Sequence, residues 1–167
     1  MPLLDDALEL PAGRLVALDL GKARHGVAAC DEAGFLSSPV KTLPRAVTRA
    51  QDFAAIAAIV AAERAVGVLI GLPASDSGTQ GEQARWVRRY AGRLAGALPV
   101  PVALWDETLS TVDAQHLLAE GRRSPAGGRS RTGIDAAAAA LILQSFLDAR
   151  RLRALPDGMT HPVTEES

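Results

Sequence analysis

Three acidic positions stand where apolar segments begin or end: Asp19, the adjacent pair Asp106 and Glu107, and Asp135. Carboxylate oxygens are the donors that Mg2+ and Mn2+ prefer. Two such ions, about 3.5–4 Å apart, can activate water and stabilise the leaving oxygen in phosphodiester hydrolysis. Three acids gathered at one edge of a fold would suit that chemistry. A zinc site is not indicated, because His25, His116 and His161 are scattered and Cys30 is alone. Each acid also has a local explanation. Asp19 can cap a turn, and Asp106 and Glu107 can serve a turn or the start of a helix near Ser110. Asp135 can stabilise a helix N-terminus by about 0.3–1 kcal/mol.

The elements that must position these acids are legible from periodicity. Arg14–Leu20, His25–Asp31 and Phe35–Lys41 read as closely spaced strands of an antiparallel meander. On the first, Leu15, Ala17 and Asp19 share one face and Val16 and Leu18 the other. Arg45–Arg64 carries Phe53, Ile56, Ile59 and Val60 at helical spacing. Val66–Gly71 and Pro101–Trp105 are short apolar runs of buried strands. Gln80–Leu98 reads as a helix with a basic face of Arg85, Arg88, Arg89 and Arg93. A helix is expected over Thr111–Glu120 and another over Ile134–Arg151, with the loop Gly121–Thr132 between them. Asp135 then falls in the first turn of the last helix, followed by five alanines that allow close packing.

The order predicts an α/β domain with a mixed five-stranded sheet: a three-strand antiparallel meander plus two parallel strands, flanked by helices. Residues 14–151 form that domain, with flexible segments at 1–13 and 152–167. Parallel strands put their carboxyl ends around the ligand crevice, where Asp106 and Glu107 would lie. Successive strand residues point oppositely, so the two cannot share one task.

A chain of 167 residues suits one core, and 48% hydrophobic content supports an ordered one. Net charge is −1, but residues 81–153 hold 11 Arg against 7 acids, a local balance of +4. Lys22 and Lys41 are the only lysines, and Arg suits bidentate phosphate contacts. No apolar run reaches membrane-span length, and the start lacks a signal peptide's basic and apolar regions, so a reducing cytoplasm is expected.

Several motifs, in this order and spacing, resemble the YqgF/RuvX family of the RNase H-like, RuvC-resolvase-like superfamily. They are Ala17-Leu-Asp-Leu-Gly21 with Gly26-Val-Ala28, Gly71-Leu-Pro73 with Gly78 and Gly81, Asp106-Glu-Thr-Leu-Ser-Thr111, Gly133-Ile-Asp-Ala-Ala-Ala138 and Leu141-Ile-Leu-Gln144. The resemblance runs from about Arg14 to Asp148. It implies an RNase H-like fold and a nuclease that uses Mg2+ or Mn2+, as two ions. The family is associated with 5′-end processing of the small-subunit (16S) rRNA precursor, and some members with Holliday junction resolution in DNA repair and recombination. The implied partners are precursor rRNA or branched DNA and ribosomal particles, with the protein a monomer or homodimer. Carried over by motif, Asp19, Glu107 and Asp135 are the catalytic and metal-holding acids, and Gly21, Gly71, Asp106, Ser110 and Thr111 support them. One position departs: Thr108 stands where the family usually has Arg, so other arginines, such as Arg24, would have to supply that charge. Nucleic acid would meet Lys22 and Arg24 in the turn after Asp19, and Arg122, Arg123, Arg129 and Arg131 in the basic loop before Asp135. The alternative is a non-catalytic RNA-binding assembly factor that keeps the fold.

Overall fold

Strand β2 (Leu15–Asp19) divides its side chains between two cores. Val16 and Leu18 enter one buried cluster, and Leu15 and Ala17 the other. That division follows from the two-residue period of a strand, and it sets the layering of the whole molecule. The computed structural model describes residues 3–73, 79–106 and 131–155, and the side chains of 79–80 and 131–132 fall outside the description.

The remaining strands are β1 (Leu3–Leu4), β3 (Arg24–Cys30), β4 (Ser37–Pro44), β5 (Gly67–Leu72) and β6 (Val102–Asp106). They form one sheet in the order β1-β6-β5-β2-β3-β4. β2, β5, β6 and β1 run parallel, while β3 and β4 return antiparallel. The helices are α1 (Arg49–Ala62), α2 (Thr79–Ala97) and α3 (Arg131–Ala154). Ile56, Ile59 and Val60 of α1 and Val87, Ala91 and Leu94 of α2 pack with Val16 and Leu18. Ala139, Leu143 and Phe146 of α3 pack with Leu15 and Ala17 on the opposite face. The sheet is therefore covered on both sides, as parallel strands require. No helix among the described residues is long and apolar enough to cross a membrane.

The sheet has six strands where five are expected. The extra one comes from the segment read as a flexible arm at 1–13. Leu3 and Leu4 pair in parallel with Val102 and Ala103. A one-turn 3-10 helix follows at Ala7–Glu9, capped by Asp6, whose Oδ1 accepts from Leu8 N at 2.9 Å. Ala7 and Leu10 are buried in the α3-side core. Arg150 of α3 fastens this segment, donating from Nη2 to Leu10 O at 3.0 Å with its guanidinium against Phe146. Two strand residues carry no alternation, so periodicity has nothing to register here.

Element boundaries also shift. α1 begins at Arg49 instead of Arg45, because Thr48 Oγ1 accepts from Gln51 N at 3.2 Å and caps it. β4 extends to Pro44, past Lys41. α3 begins at Arg131, so Arg131 and Thr132 are helical, not loop, and it continues to Ala154 into the segment taken as tail. The expected helix at 111–120 and the loop at 121–130 lie outside the described residues.

Candidate functional site

Asp19 ends β2, at the carboxyl edge shared by the parallel strands. Its place in the alternation puts its side chain on the α3 face, in line with Leu15 and Ala17. Across the antiparallel ladder Asp19 pairs with Gly26 of β3. Directly opposed residues project to the same face. At Gly26 that direction is filled by backbone: a Cβ there would lie 1.9 Å from Asp135 O. The first turns of α3 thus rest directly on the sheet beside Asp19, and only a glycine permits it. On the other flank, Leu18 pairs with Ile70 and Gly71 with Trp105, so Gly71 is level with Asp19 in β5. Glycines stand on both sides of the carboxylate, one admitting the helix and the other leaving no side chain.

Arg24 lies two residues before Gly26 and faces α3 as well. Its Nε donates to Asp135 Oδ2 at 2.7 Å. Arg24 is thus the cation that fixes Asp135, one of the acids expected at the site, a contact in addition to the phosphate contact expected of it. Asp135 is the fifth residue of α3, not part of its first turn. Interaction with the helix dipole fades beyond that turn, so the helix-capping explanation weakens while the contact with Arg24 gains weight. Gly21 closes the β2–β3 turn so tightly that a Cβ would lie 2.3 Å from Arg24 O. Lys22 is exposed in the same turn.

Asp106 takes the opposite side. Val102 and Leu104 join the α1/α2 core, Ala103 and Trp105 the α3 core. Asp106 continues the first set and is exposed, turned away from the Asp19 face. Glu107, Thr108, Ser110, Thr111, Arg122, Arg123 and Arg129 lie outside the described residues, as does the side chain of Arg131. Among the described residues no three metal-ligating side chains converge. Asp19 and Asp135 supply two oxygen donors of the hard type that suits Mg2+ or Mn2+.

A buried polar cluster on the other face was not legible in the sequence. His25 Nε2 and Asp52 Oδ2 are 2.8 Å apart, and the Tyr90 hydroxyl donates to the same oxygen. Ala46 N donates to Asp52 Oδ1 at 3.1 Å, and Gly21 N to His25 Nδ1 at 3.4 Å. Gly21 therefore assigns the Nδ1 position as acceptor and leaves the Nε2 proton for Asp52. Burial alone would raise the Asp52 pKa, but Tyr90, His25 and Ala46 outweigh it and hold the carboxyl below its usual value. Tyr90 moves far upward, through burial first and the Asp52 carboxylate second. The cluster joins β3, α1 and α2 and braces the Gly21 turn. A single His, Asp and Tyr spread over three elements leave no spacing pattern to find.

A family model described as "RuvX: Holliday junction resolvase" matches residues 13–149. A Nocardioides protein named "Putative pre-16S rRNA nuclease" is 46% identical over 84% of this chain and 90% of its own length. One of the same name from Streptomyces coelicolor is 43% identical over 92% of this chain and 90% of its own. Among solved structures, T. thermophilus RuvC in complex with a Holliday junction substrate superimposes with a TM-score of 0.52 at 14% identity, covering 83% of this chain and 96% of that one. At that identity the likeness shows the fold, and the fold is the RNase H-like one expected.

Proposed function

The chain belongs to the RuvX family, and on that premise we propose that it is a nuclease working at the carboxyl edge of the sheet on structured nucleic acid, foremost the 5′ end of the 16S rRNA precursor. The observation that carries the site is the contact of α3 with Gly26, which brings Asp135 to the strand pair that ends in Asp19. Glu107, next in sequence to the end of β6, is the third acid of the reading. These three carboxylates would hold Mg2+ or Mn2+, as two ions, and when bound these supply water activation and stabilisation of the leaving oxygen. Asp19 and Asp135 contribute oxygens from a strand and a helix, so their spacing is set by the packed backbone. Arg24 immobilises one oxygen of Asp135 and leaves the other for a cation. Lys22, in the turn beside Asp19, can meet a phosphate without reading a base. The arginines at 122, 123, 129 and 131, which precede Asp135 in sequence, would add further phosphate contacts. The setting is the cytoplasm, with ribosomal precursor particles as partners. The same chemistry applied twice, by a homodimer, would resolve a four-way junction.

The test compares a 16S precursor 5′ fragment with a synthetic four-way DNA junction, with Mg2+, Mn2+ or a chelator. Cleavage of the precursor is expected with either metal and not with the chelator. Asp19→Asn is expected to lower it by about 100-fold or more, since even residues that only support metal ligands cost 10–100-fold. Undiminished cleavage by Asp19→Asn would overturn the site. Binding without cleavage at any metal would favour the assembly factor.

A further inference from the structure

A cleft of about 720 Å3 opens on the α1/α2 side, beginning at the turn that follows Asp19. Five cations converge on it: Lys22 from the β2–β3 turn, Arg45 from the segment before α1, Arg49 from the start of α1, and Arg89 and Arg93 from α2. Among the described residues, Lys22, Arg49, Arg89 and Arg93 make no ion pair. The acid in the lining is Asp52, and its carboxylate is buried and already taken by His25, Tyr90 and Ala46. The cleft therefore presents positive charge over a braced floor. One wall is flat: the guanidinium of Arg45 lies 5.2 Å from the centroid of the Trp86 ring.

We propose that this cleft is a second nucleic-acid site, which takes the backbone of a single strand leaving the catalytic edge around the Gly21–Ala23 turn. The inference rests on the nuclease reading above and adds where the rest of the substrate goes. A basic groove beside an aromatic or guanidinium plane is the combination that holds single strands, with phosphates on the cations and bases stacked on the plane. A concave site of about 720 Å3, within the roughly 300–1,000 Å3 range of small-ligand sites, has room for a splayed nucleotide. The path is short. Asp19 and Lys22 are three residues apart, so their Cα atoms can be separated by at most about 11 Å. Asp19 faces α3 and the cleft lies on the other side, so the strand crosses the end of the sheet at the β2–β3 turn.

The test measures equilibrium binding in the cleavage-deficient Asp19→Asn protein, so that binding and cleavage are read separately. The probes are a 12-nucleotide single-stranded RNA, the same RNA as a blunt duplex, and uridine monophosphate. Added to that background, Arg89→Ala with Arg93→Ala is expected to weaken single-strand binding about 10-fold and to reduce the salt slope by about 1.4, from two lost phosphate contacts at about 0.7 each. The control pair, Arg64→Ala with Arg151→Ala, removes equal charge at the far end of the sheet and is expected to change neither. Equal losses in both pairs, or equal losses for strand and duplex, would overturn the proposal. So would uridine monophosphate binding as tightly as the 12-mer. A wild type that binds through the cleft but never cleaves keeps the second site and sinks the nuclease assignment. Cleavage with binding indifferent to Arg89 and Arg93 does the reverse.

Discussion

Arg24 holds Asp135 through Nε, 2.7 Å from one carboxylate oxygen, with about a third of each side chain in solvent. Screening at that exposure limits the pair's contribution to stability to about 0–1 kcal/mol. Its value lies in orientation, because an Asp with a free χ1 offers its oxygens in the wrong place most of the time. Arg24→Ala is therefore expected to lower cleavage by about 10–100-fold while moving the thermal midpoint by no more than a few degrees. Arg24→Lys, which keeps charge but loses the planar donor, should recover only part of the loss. A proportionate fall in stability and activity would mean that the residue is structural. Thr108 stands where the resemblance implies an Arg, and Arg24 is the cation that the described residues show beside Asp135.

At the scale of elements, the site depends on how closely α3 approaches the sheet. Gly26 permits backbone-to-backbone contact with Asp135. Gly26→Ala must push the helix away, and overpacking of this kind costs about 1–3 kcal/mol, sometimes more. The expected result is a lower midpoint in denaturant together with a larger loss of cleavage than stability alone explains, measured at a temperature where the variant is folded. The N-terminal segment behaves as part of the domain. Leu10 is buried beneath Arg150 and against Gly67, so Leu10→Ala is expected to cost about 2–5 kcal/mol in equilibrium unfolding. A flexible arm would show no change. The meander, the parallel strands and the three described helices were legible because each is a run of apolar residues, continuous or at strand or helix spacing, bounded by turn residues. The sixth strand was not, being two residues long.

Across the whole molecule, the two faces of the sheet do different work. One holds Asp19, Asp135 and Arg24, the other the His25–Asp52–Tyr90 cluster and the basic cleft. The second face also sets the response to acid. The Asp52 pKa is depressed in the fold relative to the unfolded chain. Its contribution is thus present above the unfolded value of about 3.9 and lost as pH falls through the folded value. Asp6 and Asp31 are depressed too, through backbone donors at Leu8 and Phe35, and act in the same direction. Thermal midpoints should hold between pH 5 and 7 and fall below about pH 4. Asp52→Asn should be less stable at neutral pH by about 1–3 kcal/mol and flatter in its acid response. An unchanged acid limb in that variant would assign the effect to other groups.

The sequence by itself determined the class of fold, the strand on which Asp19 sits and the face it takes. These depend on local alternation and on motif order, which a chain carries along its length. It also named Asp135, though in the first turn of its helix and with a dipole role that the longer helix weakens. The tertiary structure alone decided that α3 lands on Gly26 and that Arg24 grips Asp135. It alone brought Arg45, Arg49, Arg89 and Arg93 around one cleft with Lys22. Those arginines come from a pre-helix segment, a helix start and a second helix, and only the packing of α1 and α2 on the sheet gives them a common neighbour. Contacts between residues far apart in sequence have no period, so they are settled by which faces the core draws together.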